Sequence, residues 1–270
     1  RYSLFYAAVG LAFVGLWFLA RRLVEAKVEN QLRYLLRALR GQPELQQQPE
    51  VQQGLSHLRL TLKDLARLGD DPSQQDLSPS GTPQLLDQIR GYEGRAGRIY
   101  FGLLAGLLKP GPDAFLAFQG RNRRPPQDPV NALLSFGYAL LYRDCVAALL
   151  AVGLEPALGF LHTPRSAAYP LALDLMELFR LLLWEIPVVG SVNRRQWQKS
   201  HFEVTPGQVW LSQEGRRQAI QLYESRKQEK WKHPVLQYSL TYARTLELEA
   251  RLLEKEWTGQ PGLFATLRLR

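Results

Sequence analysis

The sequence is almost without sulfur-containing residues: Cys145 and Met176 are its only cysteine and methionine in 270 residues. A single cysteine excludes an internal disulfide framework and a zinc site built from cysteines, and it fits a reducing compartment such as the cytoplasm. The sequence also lacks a glycine-rich phosphate loop and an HExxH pair, the common signals of a nucleotide-binding loop and of a zinc protease. No fixed-period repeat is present, which excludes a solenoid.

The composition is that of a globular protein with a basic surface. Apolar residues make up 46% and charged residues 22%, and 34 lysines and arginines outnumber 25 acids for a net charge of +9. Most of the basic residues are arginines, which favour two-point contacts with phosphate or carboxylate. A nucleic-acid partner and a merely solvated basic surface are both open on charge alone.

The first twenty residues include an uncharged run from residue 3 to residue 20. A run of this length is at the lower limit for crossing a bilayer. It continues without a break into the amphipathic segment RRLVEAKVENQLRYLLRAL, so we favour a buried helix over a membrane span and expect no membrane partner. Because the first residue is Arg1 and not methionine, we also expect further sequence upstream.

Segments with helical periodicity dominate the rest of the chain and predict an all-α fold. The exception is FEVTPGQVWL, which alternates around a Pro-Gly pair and predicts one small β-hairpin near 202–211. Helices are predicted over 55–68, from 83 to the break at 109–111, from 128 to 153, from 171 to Pro187, and over 213–230 and 235–258.

The chain divides into three predicted parts. Residues 1–40 form an N-terminal helical segment, and residues 84–270 form a helical catalytic domain. Residues 41–83 are predicted to be flexible connectors around a short helix, because 41–54 is glutamine-rich and broken by prolines and 69–83 is rich in Pro, Ser and Asp.

Two polar clusters are unusual for a plain helical bundle. In the first, Glu93 lies between Gly91 and Gly94 within a predicted helix. Helical glycines cost about 1 kcal/mol each relative to alanine, so their presence predicts a close backbone approach. Glu93 would then be open to a ligand or metal; a surface salt bridge to Arg90 or Arg95 is the alternative.

In the second cluster, Asp174 and Glu177 are three residues apart on a predicted apolar helix, and His162 ends the preceding apolar segment. Two buried carboxylates need a cation or a proton beside them. A divalent ion bound by the two carboxylates and the imidazole would supply that cation. Carboxylate and imidazole ligands together suit Mg²⁺ or Mn²⁺. The alternative is a hydrogen-bonded core histidine.

Several arginines are candidates for contacting a DNA backbone. They are Arg121, Arg123, Arg124, Arg165, Arg194 and Arg195. For any one of them taken alone, a solvated face is the first interpretation.

Six segments together resemble one family: RLVEAKVENQ, GYEGRAGRIYF, DPVNALLSFGYALL, GLEPALGFLH, LALDLMELFR and VWLSQEGRR. The chain is similar to the CRISPR-associated endonuclease that serves as the spacer-acquisition integrase. The resemblance implies that an N-terminal β-rich domain precedes the helical catalytic domain, and that this chain is the helical domain without the β-rich one. It also implies a Mg²⁺ or Mn²⁺ ion held by Glu93, His162 and Glu177, with Asp174 supporting the site.

The resemblance further implies an activity and partners. Members act as homodimers with a small dimeric second CRISPR-associated adaptation protein, and join prespacer DNA to the CRISPR repeat by metal-assisted transesterification in antiviral defence. Hydrolysis at the same site would give nuclease activity. Two alternatives stay open: a catalytically inactive DNA-binding or scaffold subunit from a truncated or fused copy, and a membrane-anchored helical protein.

Overall fold

The computed structural model of the protein describes residues 2–68, 82–122, 124–163, 168–233, 237–258 and 262–269, with side chains at all of these except 2–14, 82 and 257. Helices dominate, which confirms the predicted all-α class. The α-helices are α1 (Tyr2–Leu39), α2 (Pro43–Gln47), α3 (Pro49–Arg67), α4 (Thr82–Leu107), α5 (Pro129–Val152), α6 (Pro170–Phe179), α7 (Ile186–Asn193), α8 (Gln213–Gln228) and α9 (Tyr242–Trp257). A π-helical segment, Arg180–Glu185, joins α6 to α7.

The long helix α1 forms one side of the core. It packs against α3 and α4 and also reaches α6. Leu23, Leu35 and Leu39 are buried, and so is Leu58 on the facing surface of α3. Fully burying side chains of this size stabilises the fold by about 1.5–3 kcal/mol each. The uncharged N-terminal run is therefore the beginning of a helix whose next turns belong to the core, while the side chains of residues 2–14 lie outside the described set.

The region predicted as a glutamine-rich connector is helical. Helix α2 spans Pro43–Gln47 and α3 spans Pro49–Arg67, so the prediction of a flexible connector over 41–54 is wrong for most of that stretch. Each helix has its proline in the first turn, where the missing N–H has no helical acceptor to lose. The second predicted connector, 69–83, lies almost wholly outside the described residues.

Helix α5 is the central helix of the C-terminal half and packs against α6, the π segment, α8 and α9. Its predicted ends are confirmed. The side chain of Asp128 accepts the Asn131 N–H at 2.8 Å, and Gly153 ends the helix with φ of 87°. Among the described residues, α5 is long and apolar enough to cross a membrane, yet its buried leucines, such as Leu133 and Leu141, lie in the core.

The helix predicted to stop at Pro187 does not stop there. The chain runs from α6 through the π segment into α7, where Pro187 occupies the first turn. One extra residue per turn in the π segment shifts the following side chains around the helix axis. Glu185 is thereby buried at the end of that segment.

Two antiparallel strand pairs complete the described fold. The predicted hairpin is confirmed as β1 (Phe202–Thr205) and β2 (Gln208–Leu211), with Phe202 opposite Leu211. A second pair, β3 (Lys230–Lys232) with β4 (Ser239–Thr241), is not predicted from the sequence. Its presence also corrects the predicted start of the last helix, which begins at Tyr242 and not at residue 235.

The packing of α5 on the π segment can be tested with Gly137→Ala. A Cβ at Gly137 would lie 1.9 Å from the ring of Trp184, whose indole N–H donates to the Leu133 carbonyl at 2.8 Å. Because this ring is fully buried, we expect the variant to lose roughly 2–3 kcal/mol of unfolding free energy in urea denaturation. Gly102→Ala in α4, where a Cβ meets nothing within 4 Å, is the control. Equal stability of the two variants would contradict this packing.

Candidate active site

Helix α6 supplies two of the predicted site residues. Asp174 and Glu177 are three residues apart and only 0% and 4% exposed. The helix is apolar around most of its circumference, since Leu171, Leu175 and Leu178 are also buried. The two carboxylates therefore cannot reach water and need partners within the protein.

Asp174 is saturated by the chain segment that carries His162. Its Oδ2 accepts the backbone N–H groups of Phe160 at 2.7 Å and Leu161 at 3.1 Å. Its Oδ1 accepts the His162 backbone N–H at 2.9 Å and lies 2.6 Å from His162 Nδ1. A carboxylate with four such contacts holds its neighbours in place and has little capacity left for a metal. Asp174 thus holds the His162 segment in place, and its role in supporting a metal site stays a prediction.

The turn before His162 needs a glycine. A Cβ at Gly159 would lie 2.6 Å from the Cβ of Pro170 and 3.1 Å from Asp174 Oδ2. Only a residue without a side chain lets the turn approach the first turn of α6 this closely. The GFLH segment, residues 159–162, therefore packs directly against Asp174.

His162 is oriented towards Glu177. Because Nδ1 is held by Asp174, the other ring nitrogen, Nε2, is directed to Glu177 and lies 3.8 Å from its Oε1. The imidazole is 32% exposed and is the member of this group most open to solvent. A carboxylate on the second ring nitrogen is the usual way in which proteins fix a histidine that serves as a metal ligand.

Glu93, on α4, is linked to Glu177 through Lys27, a residue that belongs to neither of the predicted polar clusters. The ammonium group of Lys27, on α1, contacts Glu93 Oε1 and lies 2.6 Å from Glu177 Oε2. Lys27 is buried. Lys27 follows Leu23 by one helical turn and lies on the apolar face of an amphipathic helix. A charge at such a position is the sequence signal that could have identified Lys27.

Arg180 is the second cation at Glu177. Its guanidinium lies 3.0 Å from Glu177 Oε1 and stacks over the ring of Tyr138 at 4.8 Å. Burial raises the pKa of Glu177, but the positive charges of Arg180 and Lys27 outweigh this and lower the pKa to about 2. Glu177 is therefore ionised at neutral pH.

The structure thus brings Glu93, His162 and Glu177 together from three separate parts of the chain. Among the described residues, no three metal-binding side chains stand in a ready coordinating arrangement. The Lys27 ammonium contacts both glutamates. Two carboxylates and one imidazole are a donor set that suits Mg²⁺ or Mn²⁺, so these residues fit a divalent ion. Their role as ligands stays a prediction.

A cleft of about 570 Å³ opens beside Lys27 and Glu93. Its lining is mainly polar and includes three arginines. The lining residues are Lys27, Gln31, Glu93, Gly94, Gly97, Arg98, Phe101, Gly102, Gln119, Gly120, Arg121, Asn122, Arg180 and Glu185. Glu185 is a site residue that sequence reasoning missed, because the π segment changes which residues face inward.

The glycines around Glu93 do not serve the purpose predicted for them. A Cβ at Gly91 or Gly94 would meet nothing within 4 Å, so the prediction of close backbone packing against the protein is wrong. Gly94 instead lines the cleft, where it leaves bare backbone beside Glu93. The predicted accessibility of Glu93 agrees with its 26% side-chain exposure.

Arg121 is engaged within the protein. It donates to Asn131 Oδ1 at 2.7 Å and to Ser135 Oγ at 3.0 Å, and it stacks over Tyr138 at 5.4 Å. Tyr138 thus carries a guanidinium from Arg121 and another from Arg180. Arg121 shapes the cleft wall, and its prediction as a DNA contact is not tested by this geometry.

Three of the other five predicted DNA contacts lie within the described residues. Arg124, Arg194 and Arg195 are exposed, as phosphate-binding side chains need to be. Arg123 and Arg165 lie outside the described residues.

Comparison with known families gives one clear match. The sequence profile of the family described as "CRISPR associated protein Cas1" matches residues 16–225. Curated relatives that carry the name "CRISPR-associated exonuclease Cas4/endonuclease Cas1 fusion" include proteins from Myxococcus xanthus and Leptospira interrogans. The relative from Myxococcus xanthus is 53% identical over 253 residues, which is 93% of this chain and 42% of that protein. The relative from Leptospira interrogans is 50% identical over 252 residues, 93% and 43% of the two chains. This chain therefore spans about two fifths of these relatives.

Solved structures share the fold. The Thermotoga maritima protein TM1797, titled a CAS1 protein, superposes with a TM-score of 0.73 at 22% identity over 95% of this chain and 70% of its own. A chain of the "Cas6-RT-Cas1--Cas2 complex" gives a TM-score of 0.72 at 26% identity, over 95% of this chain and 25% of that one. A chain titled "Casposase bound to integration product" gives 0.72 at 22% identity, over 93% and 63%.

The seating of the histidine segment on α6 can be tested with Asp174→Asn. An asparagine offers one acceptor oxygen, and its amide group would face N–H donors that now bind the carboxylate. We expect the unfolding free energy to fall by at least about 2 kcal/mol in urea denaturation, because buried donors lose their acceptor. Asp64→Asn, which removes only a 4.0 Å pair with Arg67, should cost at most about 0.5 kcal/mol. If Asp174→Asn also loses no more than about 0.5 kcal/mol of unfolding free energy, the role of Asp174 in positioning the His162 segment is contradicted.

Proposed function

The chain belongs to the Cas1 family of CRISPR-associated proteins, and on that premise we propose that it is the catalytic domain of a divalent-metal-dependent DNA endonuclease and integrase. The relatives that it matches are named endonucleases. Because the chain spans about two fifths of them, the activity of the whole protein is part of the proposal. The observation that carries it is that Lys27 contacts both Glu93 and Glu177, while His162 Nε2 lies 3.8 Å from Glu177 Oε1.

Glu93, His162 and Glu177 are the residues that would hold a Mg²⁺ or Mn²⁺ ion. When bound, such an ion supplies Lewis-acid polarisation of a phosphodiester and stabilises the charge that builds up during its displacement. Asp174 keeps the His162 imidazole in the orientation that leaves Nε2 directed at the site. Asp174 is thus a positioning residue.

The charge balance of the site favours an anionic substrate. The carboxylates of Glu93 and Glu177 are offset by Lys27 and Arg180, so these four side chains are formally neutral before any metal enters. A divalent ion would add two positive charges beside them, which lowers the repulsion that an approaching phosphate meets. Arg180 is anchored over Tyr138 and keeps its charge at the cleft wall.

The cleft beside the site suits a phosphodiester backbone. Arg98, Arg121 and Arg180 contribute to its lining, and the bare backbone of Gly94 removes a steric obstacle beside Glu93. Exposed arginines elsewhere, including Arg124, Arg194 and Arg195, would hold flanking DNA with little reading of base sequence. Affinity for DNA should accordingly fall steeply with salt.

The reaction we propose is transesterification, in which a DNA 3′-hydroxyl attacks a phosphodiester at the border of a CRISPR repeat. The attacking oxygen forms a new phosphodiester and the former 3′-oxygen leaves. When water replaces the hydroxyl, the same displacement is hydrolysis and gives nuclease activity. Both belong to antiviral spacer acquisition in the cytoplasm.

The proposed partners are prespacer and repeat DNA, a second copy of this chain, and the small dimeric second CRISPR-associated adaptation protein. Support for the last comes from the matching chain of the solved "Cas6-RT-Cas1--Cas2 complex". The proposal places the present domain in an assembly of that kind.

The activity is tested with His162→Ala in a Mn²⁺-dependent assay of branched-DNA cleavage and strand transfer. We expect at least a hundredfold loss of both activities, since the imidazole is the solvent-accessible ligand of the site. His57→Ala is the matched control, because His57 is exposed on α3 and is not part of the cleft. Equal activity of the wild type and His162→Ala, or none in either, would favour a catalytically inactive DNA-binding subunit.

The route of the DNA past Glu93 is tested with Gly94→Ala. A methyl group here meets no protein atom within 4 Å, so the variant should be as stable as the wild type, or more stable by up to about 1 kcal/mol. We expect cleavage to fall at least tenfold, because the methyl group narrows the cleft. Gly91→Ala, three residues earlier and outside the cleft lining, should gain the same stability with a much smaller loss of activity. Full activity of Gly94→Ala would exclude DNA from this part of the cleft.

A further inference from the structure

Lys27 is the least expected member of the site. It is a buried lysine whose ammonium group contacts Glu93 Oε1 and lies 2.6 Å from Glu177 Oε2. It belongs to neither of the two polar clusters found in the sequence. Its helix, α1, is fixed by its own contacts with α3, α4 and α6, so the amine is delivered to this point by the core of the fold.

The ammonium group has a clear electrostatic reason to be there. Burial lowers the pKa of Lys27, but the negative charges of Glu177 and Glu93 outweigh this and raise it. Lys27 is therefore a cation in the folded protein. Two carboxylates held close together in a poorly hydrated site repel each other unless a positive charge lies between them.

The position of this cation is also where a divalent ion would bind. The ion would have to contact carboxylate oxygens of Glu93 and Glu177, and Lys27 now contacts an oxygen of each. Arg180 differs, because it touches Glu177 alone and is anchored over Tyr138. Of these two cations, Lys27 is the one that competes for the space between the glutamates.

We propose that Lys27 is an internal counter-cation that holds Glu93 and Glu177 together without metal, and whose ammonium group must leave them when the divalent ion binds. This inference rests on the proposed function, since it concerns the same metal site. Lys27 then weakens the affinity of the site for the divalent ion. It also keeps Glu93 and Glu177 close together when no metal is bound.

Glu185 provides a second carboxylate towards which the amine can turn. Glu185 lines the same cleft as Lys27 and lies close enough for the two charges to interact. Its Oε1 accepts the Tyr138 hydroxyl at 2.6 Å, and the Tyr100 hydroxyl also interacts with this carboxylate, although the buried Oε2 makes no well-formed hydrogen bond. A flexible four-carbon stem allows the ammonium group to move between acceptors in this way.

The inference is tested by measuring Mn²⁺ affinity calorimetrically for the wild type and Lys27→Met, and their melting temperatures in EDTA and in saturating Mn²⁺. We expect Lys27→Met to bind Mn²⁺ at least tenfold more tightly. We also expect it to melt below the wild type in EDTA, because the carboxylates are then unneutralised, and to recover fully in Mn²⁺. Lys27→Gln, whose amide keeps N–H donors without the charge, should show the same reversal less strongly and serves if Lys27→Met does not fold.

Lys227→Met is the matched control. Lys227 also bridges two carboxylates, at 2.7 Å from Asp144 and 3.2 Å from Glu224, but with no histidine beside them. Its loss should lower stability equally in EDTA and in Mn²⁺, and should leave the Mn²⁺ affinity of the protein unchanged.

Glu185→Gln separates the movement of the amine from a general charge effect. If Glu185 receives the ammonium group, this substitution should weaken Mn²⁺ binding several-fold in the wild type but not in the Lys27→Met background. An equal loss of Mn²⁺ affinity in the wild type and in Lys27→Met would show that Glu185 does not receive the ammonium group.

The inference is overturned if Lys27→Met binds Mn²⁺ no more tightly than the wild type, or if Mn²⁺ does not restore its stability. The proposed function survives that result as long as the wild type cleaves DNA with Mn²⁺. Tighter Mn²⁺ binding by Lys27→Met in a protein without DNA cleavage would support the inference while contradicting the proposed activity. Failure of both proteins to bind Mn²⁺ would overturn the metal site and this inference together.

Discussion

The burial of negative charge on α6 is the constraint on which the rest of this site depends. Asp174 and Glu177 lie on a helix that is covered on nearly all sides, so each must find its partners inside the protein. Asp174 is satisfied by the turn that carries His162, and Glu177 by cations from α1 and from the π segment. Satisfying two carboxylates therefore fixes the relative positions of four chain segments.

The helical class and the candidate site residues could be predicted because they leave periodic or chemical signals. The α5 limits followed from a side-chain cap at Asp128 and a glycine at Gly153. The spacing of Asp174 and Glu177 placed both on one helical face. His162 was grouped with them because it ends the preceding apolar segment, and Glu93 was joined to them only by resemblance to a family. The fold places His162 3.8 Å from Glu177 and links Glu93 to Glu177 through Lys27.

Other features were out of reach for physical reasons. Lys27 and Glu185 look like ordinary charged residues, and their roles depend on contacts between elements far apart in the sequence. The π segment moves Glu185 inward, and no periodic pattern in RLLLWE signals it. The glutamine-rich stretch around 43–54 was misread because composition alone favours a connector, whereas prolines at the first turns of α2 and α3 begin helices there.

The central claim is that Glu93, His162 and Glu177 hold one divalent ion, and the most direct measurement is pulsed electron paramagnetic resonance of the Mn²⁺-loaded protein. The account predicts one Mn²⁺ per chain with a nitrogen coupling from a single imidazole, which disappears in His162→Ala. Mn²⁺ bound without any nitrogen coupling, or with a coupling that persists in His162→Ala, would contradict it.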